Sequence, residues 1–140
     1  MKRPQISRPF VDEQFEILWK RLKKWFNNVS SKHPVTKEFY IELAEMRGQE
    51  PDWDRCPPGL EDFPYDVQKA IIAYAKFPDR YDSDGVFIGK DYALFKEIVE
   101  VELVDDKGLF LESMLQIDSL FIKKSRDDAI EARKQAKRGK

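Results

Sequence analysis

The sequence predicts an all-α fold, a single compact domain of about five helices over residues 10–122 with two ordered loops and a basic C-terminal helical tail at 123–140. Three observations carry this expectation. Apolar residues recur at three- and four-residue steps along most of the chain, the spacing of helices that bury one face. Proline, glycine and small polar residues fall between those segments. The 140 residues are about one domain's worth of chain, enough to bury roughly two-thirds of the unfolded surface.

Residues 1–9 read as a flexible lead, because MKRPQISR carries a proline and no periodicity. A first helix is predicted from Phe10, with Phe15, Leu18, Leu22, Trp25, Phe26 and Val29 at helical steps and Lys20, Arg21, Lys23 and Lys24 largely on the other face. Asn27, Asn28, Ser30 and Ser31 break it. Pro34 separates it from a second helix opening at Thr36, whose hydroxyl caps the free amides while Val35 packs on Tyr40. Phe39, Leu43 and Met46 are expected on its buried face, and Gly48 ends it.

Residues 47–63 hold three prolines and two glycines, so no regular element is expected there. Trp53 and Leu60 are expected to pin this segment to the core as an ordered loop. A third helix starts with Pro64, has Asp66 beside the positive end of its dipole, and turns Val67, Ala70, Ile71, Tyr74 and Phe77 inward until Pro78. Residues 79–91 are turn-rich, with Val86–Ile88 a short extended piece at most between Gly85 and Gly89. Asp91 caps a fourth helix at 92–104. Val99, Val101 and Leu103 alternate with acids there as a strand would, and helix is chosen on the neighbouring Leu94, Phe95 and Ile98. Lys107-Gly108 reads as a turn. The fifth helix, 109–122, is the expected central one, with Phe110, Met114, Ile117 and Phe121 on one face. Beyond Lys123 the pattern thins to alanines among charges.

The net charge of −1 hides a segregation: residues 1–32 carry +5, residues 33–122 carry −11 and residues 123–140 carry +5. Such asymmetry bears on association rather than fold. A lone Cys56 forms no internal disulfide, which points to a reducing, cytoplasmic setting. No window approaches the apolar length of a membrane span, so no membrane contact is expected. His33, between Lys32 and Pro34, has no second histidine or patterned acid beside it. Cys56 has no identifiable general base, and the common nucleotide-binding and serine-hydrolase motifs do not occur. No cofactor, metal ligand set or catalytic residue is assigned.

Asp82, Asp84, Gly85, Phe87 and Asp91 follow the spacing of a calcium-binding EF-hand loop, but Arg80 stands where its first carboxylate ligand belongs. Glu45 and Asp54 lie nine residues apart, a spacing that resembles the first two acids of phage-type lysozymes. The threonine that follows in that pattern is replaced by Leu60. The resemblance implies a small carboxylate-dependent hydrolase as one alternative.

Trp19 and Trp25 interleave with Lys20, Arg21, Lys23 and Lys24, a mixture suited to nucleic acid, in which aromatics stack on bases and cations track phosphates. Helical geometry places Trp25 and Phe26 with Leu18 and Leu22 in the core and leaves Trp19 with the lysines outside. The tail residues Arg133, Lys134, Lys137 and Arg138 complete a nucleic-acid alternative.

Residues 63–91, FPYDVQKAIIAYAKFPDRYD followed by FIGKDYALF, with Trp25-Phe26 upstream and Ile117-Asp118 downstream, resemble the small all-helical accessory and assembly proteins of tailed bacteriophages. The resemblance spans about residues 15–122 and implies a role in virion assembly or phage takeover, in host cytoplasm or virion, through protein contacts or self-association. It carries no site residues. The leading expectation is a non-enzymatic macromolecule-binding protein whose partner contacts are Trp19, Trp53, Lys20 and Lys24.

Overall fold

The computed structural model describes the backbone of residues 8–139 and the side chains of residues 13–139. Most of the predicted lead, residues 1–7, lies outside the described residues, as does Lys140 at the end of the tail. The chain divides into two compact units, residues 1–63 and 64–140, and the single domain expected over 10–122 takes in parts of both.

In the first unit, α1 (Arg8–Val29) begins at Arg8, two residues before the predicted start. Leu22 and Phe26, one turn apart, are buried. Past its end, the Asn28 side chain closes the link to the next helix: its amide donates to the Val35 carbonyl at 2.7 Å and its oxygen accepts from the Val35 amide at 3.1 Å. Helix α2 (Lys37–Met46) is capped as expected, the Thr36 hydroxyl accepting from the Phe39 amide at 3.2 Å. Of its predicted inner face only Leu43 is half-buried. Phe39 is 50% exposed and Met46 83% exposed, and the half-buried face is Lys37, Tyr40, Ile41, Leu43 and Ala44. Polar contacts set this rotation, because Lys37 reaches Asp62 and the Tyr40 hydroxyl donates to the Asp52 carbonyl.

Gly48, at φ +65°, turns the chain out of α2 into the long loop. The loop is ordered, but Trp53 does not pin it: that ring is exposed, while Cys56, Pro57 and Phe63 are buried. Leu60–Asp62 form one 3₁₀ turn, closed by the Gly59 amide donating to the Asp62 carboxylate at 2.8 Å.

The second unit is not purely helical. After α3 (Tyr65–Ala73), which tightens into a 3₁₀ turn at Tyr74–Lys76, β1 (Asp79–Tyr81) and β2 (Phe87–Lys90) form an antiparallel hairpin pairing Asp79 with Lys90 and Arg80 with Gly89. Strands this short leave no readable alternation, so the turn residues carry the information. One Asp82 carboxylate oxygen accepts from the Asp84 and Val86 amides at 2.9 and 3.0 Å, and Gly85 takes φ +78°. Of the acids that resembled an EF-hand loop, Asp82 thus binds its own backbone between strands rather than helices, Asp84 lies 3.9 Å from the Arg133 guanidinium, and Asp91 follows β2. Helix α4 (Phe95–Val101) confirms helix over strand but is shorter than the predicted 92–104. Asp91 accepts from the Ala93 amide in a turn ahead of it.

Lys107 and Gly108 are not a turn but the first residues of α5 (Lys107–Arg138), one continuous helix of 32 residues. Asp106 caps it, accepting from the Leu109 amide at 3.0 Å. The buried Asp66 accepts from the Asp105 and Asp106 amides at 3.3 and 2.8 Å, fixing the entry to α5 rather than serving the dipole of its own helix alone. Phe110, Met114 and Ile117 are buried with Val67, Ala70, Ala73 and Phe77, so the expected central helix does carry the core of this unit.

Asp118 ties the hairpin to this core. It accepts from the Tyr74 hydroxyl at 2.8 Å and from the Lys90 amide at 3.2 Å. Gly89 lies at φ +126°, and a Cβ there would stand 3.2 Å from an Asp118 carboxylate oxygen and 3.4 Å from Ile122. Gly89→Ala is expected to lower stability by about 1–3 kcal/mol, read as a lower thermal midpoint. Among the described residues no helix is long and apolar enough to cross a membrane.

Candidate functional site

The stripe Ile17, Lys20, Arg21 and Lys24 lies at steps of three and four residues on α1, which puts these side chains on one face. In the same unit the proline-rich loop comes back beside that face. Together they line a groove of about 560 Å³, completed by Trp53, Asp54, Cys56, Pro57, Pro58, Lys37 and Asp62. Two bonds from α1 hold the loop there. The Arg21 guanidinium donates to the Asp62 carbonyl at 3.1 Å, and the Lys24 ammonium donates to the Asp54 carbonyl.

At one end Lys37 donates to both Asp62 carboxylate oxygens, at 2.9 and 3.0 Å, with Glu61 at 3.5 Å. The Lys37 hydrogen bond, helped by the Gly59 amide, holds the Asp62 carboxyl below its ordinary value, and the same hydrogen bond raises Lys37. Burial pushes the Cys56 thiol up, so it lines the groove as a packed, protonated side chain. The lining thus sets four cations against two carboxylates, and Asp62 is occupied by Lys37. Lys20, Arg21 and Lys24 have no ion-pair partner among the described residues; the last two bond carbonyls, which neutralise no charge. Ile17 and Trp53 stand beside these cations, both more than half exposed. The groove combines unbalanced positive charge with uncovered apolar surface, which suits an anionic partner that also carries apolar groups.

The Asp62–Lys37 pair has a pH signature. A carboxyl depressed in the folded state contributes stability above its unfolded value and loses it as pH falls through the folded one. The loop beside the groove is therefore expected to loosen below about pH 4, seen as faster amide exchange at Gly59 and Asp62. In Asp62→Asn that acid dependence should be absent, with the loop already looser at neutral pH.

Of the predicted partner-contact residues, Lys20, Lys24 and Trp53 come together in this groove. Trp19 is not part of its lining; it is half-buried and stacked on Phe15 with ring centroids 5.6 Å apart. Of the nucleic-acid set, Arg21 joins the groove, while Lys23 is exposed elsewhere on α1. Arg133, Lys134, Lys137 and Arg138 are exposed on the last turns of α5, in the other unit, where Arg133 also helps line a smaller groove of about 300 Å³. Glu45 and Asp54 are both exposed, and only Asp54 lines the larger groove. His33 is exposed. Among the described residues no cluster of three or more His, Cys, Asp or Glu side chains is placed to hold a metal ion.

Sequence reasoning missed Lys37 and Asp62. A signal for Lys37 was present: it occupies the first position of α2, where a cation opposes the helix dipole and needs compensating acids. No family model, curated protein or solved structure matches the chain.

Proposed function

We propose that the protein is a non-enzymatic macromolecule-binding protein, a phage-type accessory or assembly factor that works in the cytoplasm through protein contacts. Its contact surface is the groove between α1 and the proline-rich loop. One observation supports this above the others: Lys20, Arg21 and Lys24, without carboxylate partners among the described residues, share a groove with the exposed Ile17 and Trp53. Cations fix the orientation of an acidic partner, and apolar groups supply the area that holds it. The phage-type assignment rests on the pattern of residues 63–91. The nucleic-acid alternative draws on the exposed cations at the end of α5 and on Trp53 as a stacking surface. The hydrolase alternative has less support, since Glu45 lies outside the groove that Asp54 lines.

Fluorescence anisotropy with two labelled probes tests the proposal: an acidic peptide with interspersed leucines, and duplex DNA. Saturable peptide binding to the wild type that is lost in Lys20→Glu/Lys24→Glu is the expected result. DNA binding that falls by about one log unit per log unit of salt for each phosphate neutralised, with no peptide binding, would replace it by the nucleic-acid reading.

A further inference from the structure

We propose that the occupant of the groove is a second copy of this chain, which inserts the acidic, apolar corner at residues 94–106. This rests on the groove being the contact surface and adds what fills it.

Within the second unit, Glu97 and Val101 lie one turn apart on α4, and Leu94 stands just ahead of its first residue. Leu103 follows just past the helix end. Leu94 is 53% exposed, and Val101 and Leu103 are each 76% exposed. Between residues 97 and 106 there are five acids and no basic residue. Glu102 is taken by Lys76, and Asp106 caps α5. Glu97, Glu100 and Asp105 have no ion-pair partner among the described residues.

Leu103 sits at φ +54°, the left-handed region that glycine adopts freely and that costs other residues on the order of 1–2 kcal/mol. That conformation ends α4: the Leu103 amide donates to the Glu100 carbonyl and the Val104 amide to the Val99 carbonyl, each at 3.4 Å, while the side chain points to solvent. The turn leaves Leu103 as outward apolar surface beside Val101, which a partner can cover. The corner is also held rigid. Lys69 donates to the Leu103 carbonyl at 2.7 Å, and the buried Asp66 holds the next two amides. Little ordering cost then remains to be met on binding.

The two surfaces are complementary in both respects. Lys20, Arg21 and Lys24 match Glu97, Glu100 and Asp105 in sign, and Ile17 with Trp53 offers apolar surface to Val101 and Leu103. Because the two surfaces differ, the contact is heterologous, and copies join head to tail into a ring or an open chain.

Sedimentation velocity on the full chain and two variants provides the test. The groove variant is Lys20→Glu/Lys24→Glu and the corner variant Val101→Ser/Leu103→Gly. The wild type is expected to show mass rising with concentration and falling with added salt. Each variant alone should associate at least about tenfold more weakly. Mixed together, the two variants should form a one-to-one dimer that grows no further, since each retains one intact half of the contact.

Variants that assemble as the wild type does, a mixture that stays monomeric, or a wild type monomeric at every concentration would overturn the proposal. In the last case the labelled acidic peptide separates the two levels. Peptide binding lost only in the groove variant leaves the groove as a contact surface with a different occupant; no peptide binding removes both. Should the corner variant fail to fold, Glu97→Gln/Glu100→Gln takes its place with the same expected outcomes.

Discussion

Asp118→Ala is expected to lower stability by about 2–5 kcal/mol, the largest effect of any single polar substitution in the unit formed by residues 64–140. The side chain is 7% exposed and accepts from groups on two different elements, the Tyr74 hydroxyl and the Lys90 amide. Its removal leaves both donors buried without partners, each costing about 1–3 kcal/mol. Neither tyrosine nearby relieves the loss by ionising. Burial, with the neighbouring carboxylate second, drives the Tyr74 and Tyr92 phenols well above their ordinary range, so both keep their protons. Lys90 is affected as well, since its ammonium lies 4.7 Å from the Tyr74 ring centre and pairs with Asp79. Asp118→Asn is expected to be milder, because the oxygen that accepts from Tyr74 also accepts from the Lys90 amide at 3.2 Å, and only the 3.4 Å contact of that amide with the second oxygen is lost. Urea denaturation measures both, and a cost below about 1 kcal/mol for the alanine variant would show that the hairpin is held by other means.

Lys20→Glu/Lys24→Glu is expected to weaken binding of an acidic partner on the order of a hundredfold or more, because two attractive contacts become like-charge contacts. Stability should move by less than about 1 kcal/mol, since both lysines are exposed and Lys24 loses only a solvent-facing bond to a carbonyl. Lys23→Glu is the control. It makes the same charge change on the same helix but lies outside the groove lining, so its effect should be limited to weak, salt-screened repulsion. Equal losses for Lys23→Glu and Lys24→Glu would mean that net charge rather than the groove decides binding.

The helices were legible where one strong periodicity met a clear stop. The face of α1 with Leu22 and Phe26, the Thr36 cap and the inner face of α3 follow from spacing and capping chemistry. What failed did so for local reasons. The hairpin strands hold three and four residues, too few for alternation to show. Lys107-Gly108 looked like a turn because glycine disfavours helix, yet Asp106 caps ahead of it and Phe110, buried one turn later, anchors the start of α5. The rotation of α2 was invisible because Lys37–Asp62 and Tyr40–Asp52 set it, and both join residues far apart in sequence. Half of the candidate site shared this obstacle. Lys20, Arg21 and Lys24 were readable as one face of a helix, whereas the loop's approach to that face depends on carbonyls that no residue pattern announces.

Backbone amide shifts of the isotope-labelled protein, followed as the acidic peptide is added, test most directly whether this groove is where the protein meets its partners. Perturbations gathered at residues 17–24 and 53–62 and absent from the end of α5 are expected. Shifts confined to residues 126–138, or none at saturating peptide, would contradict it.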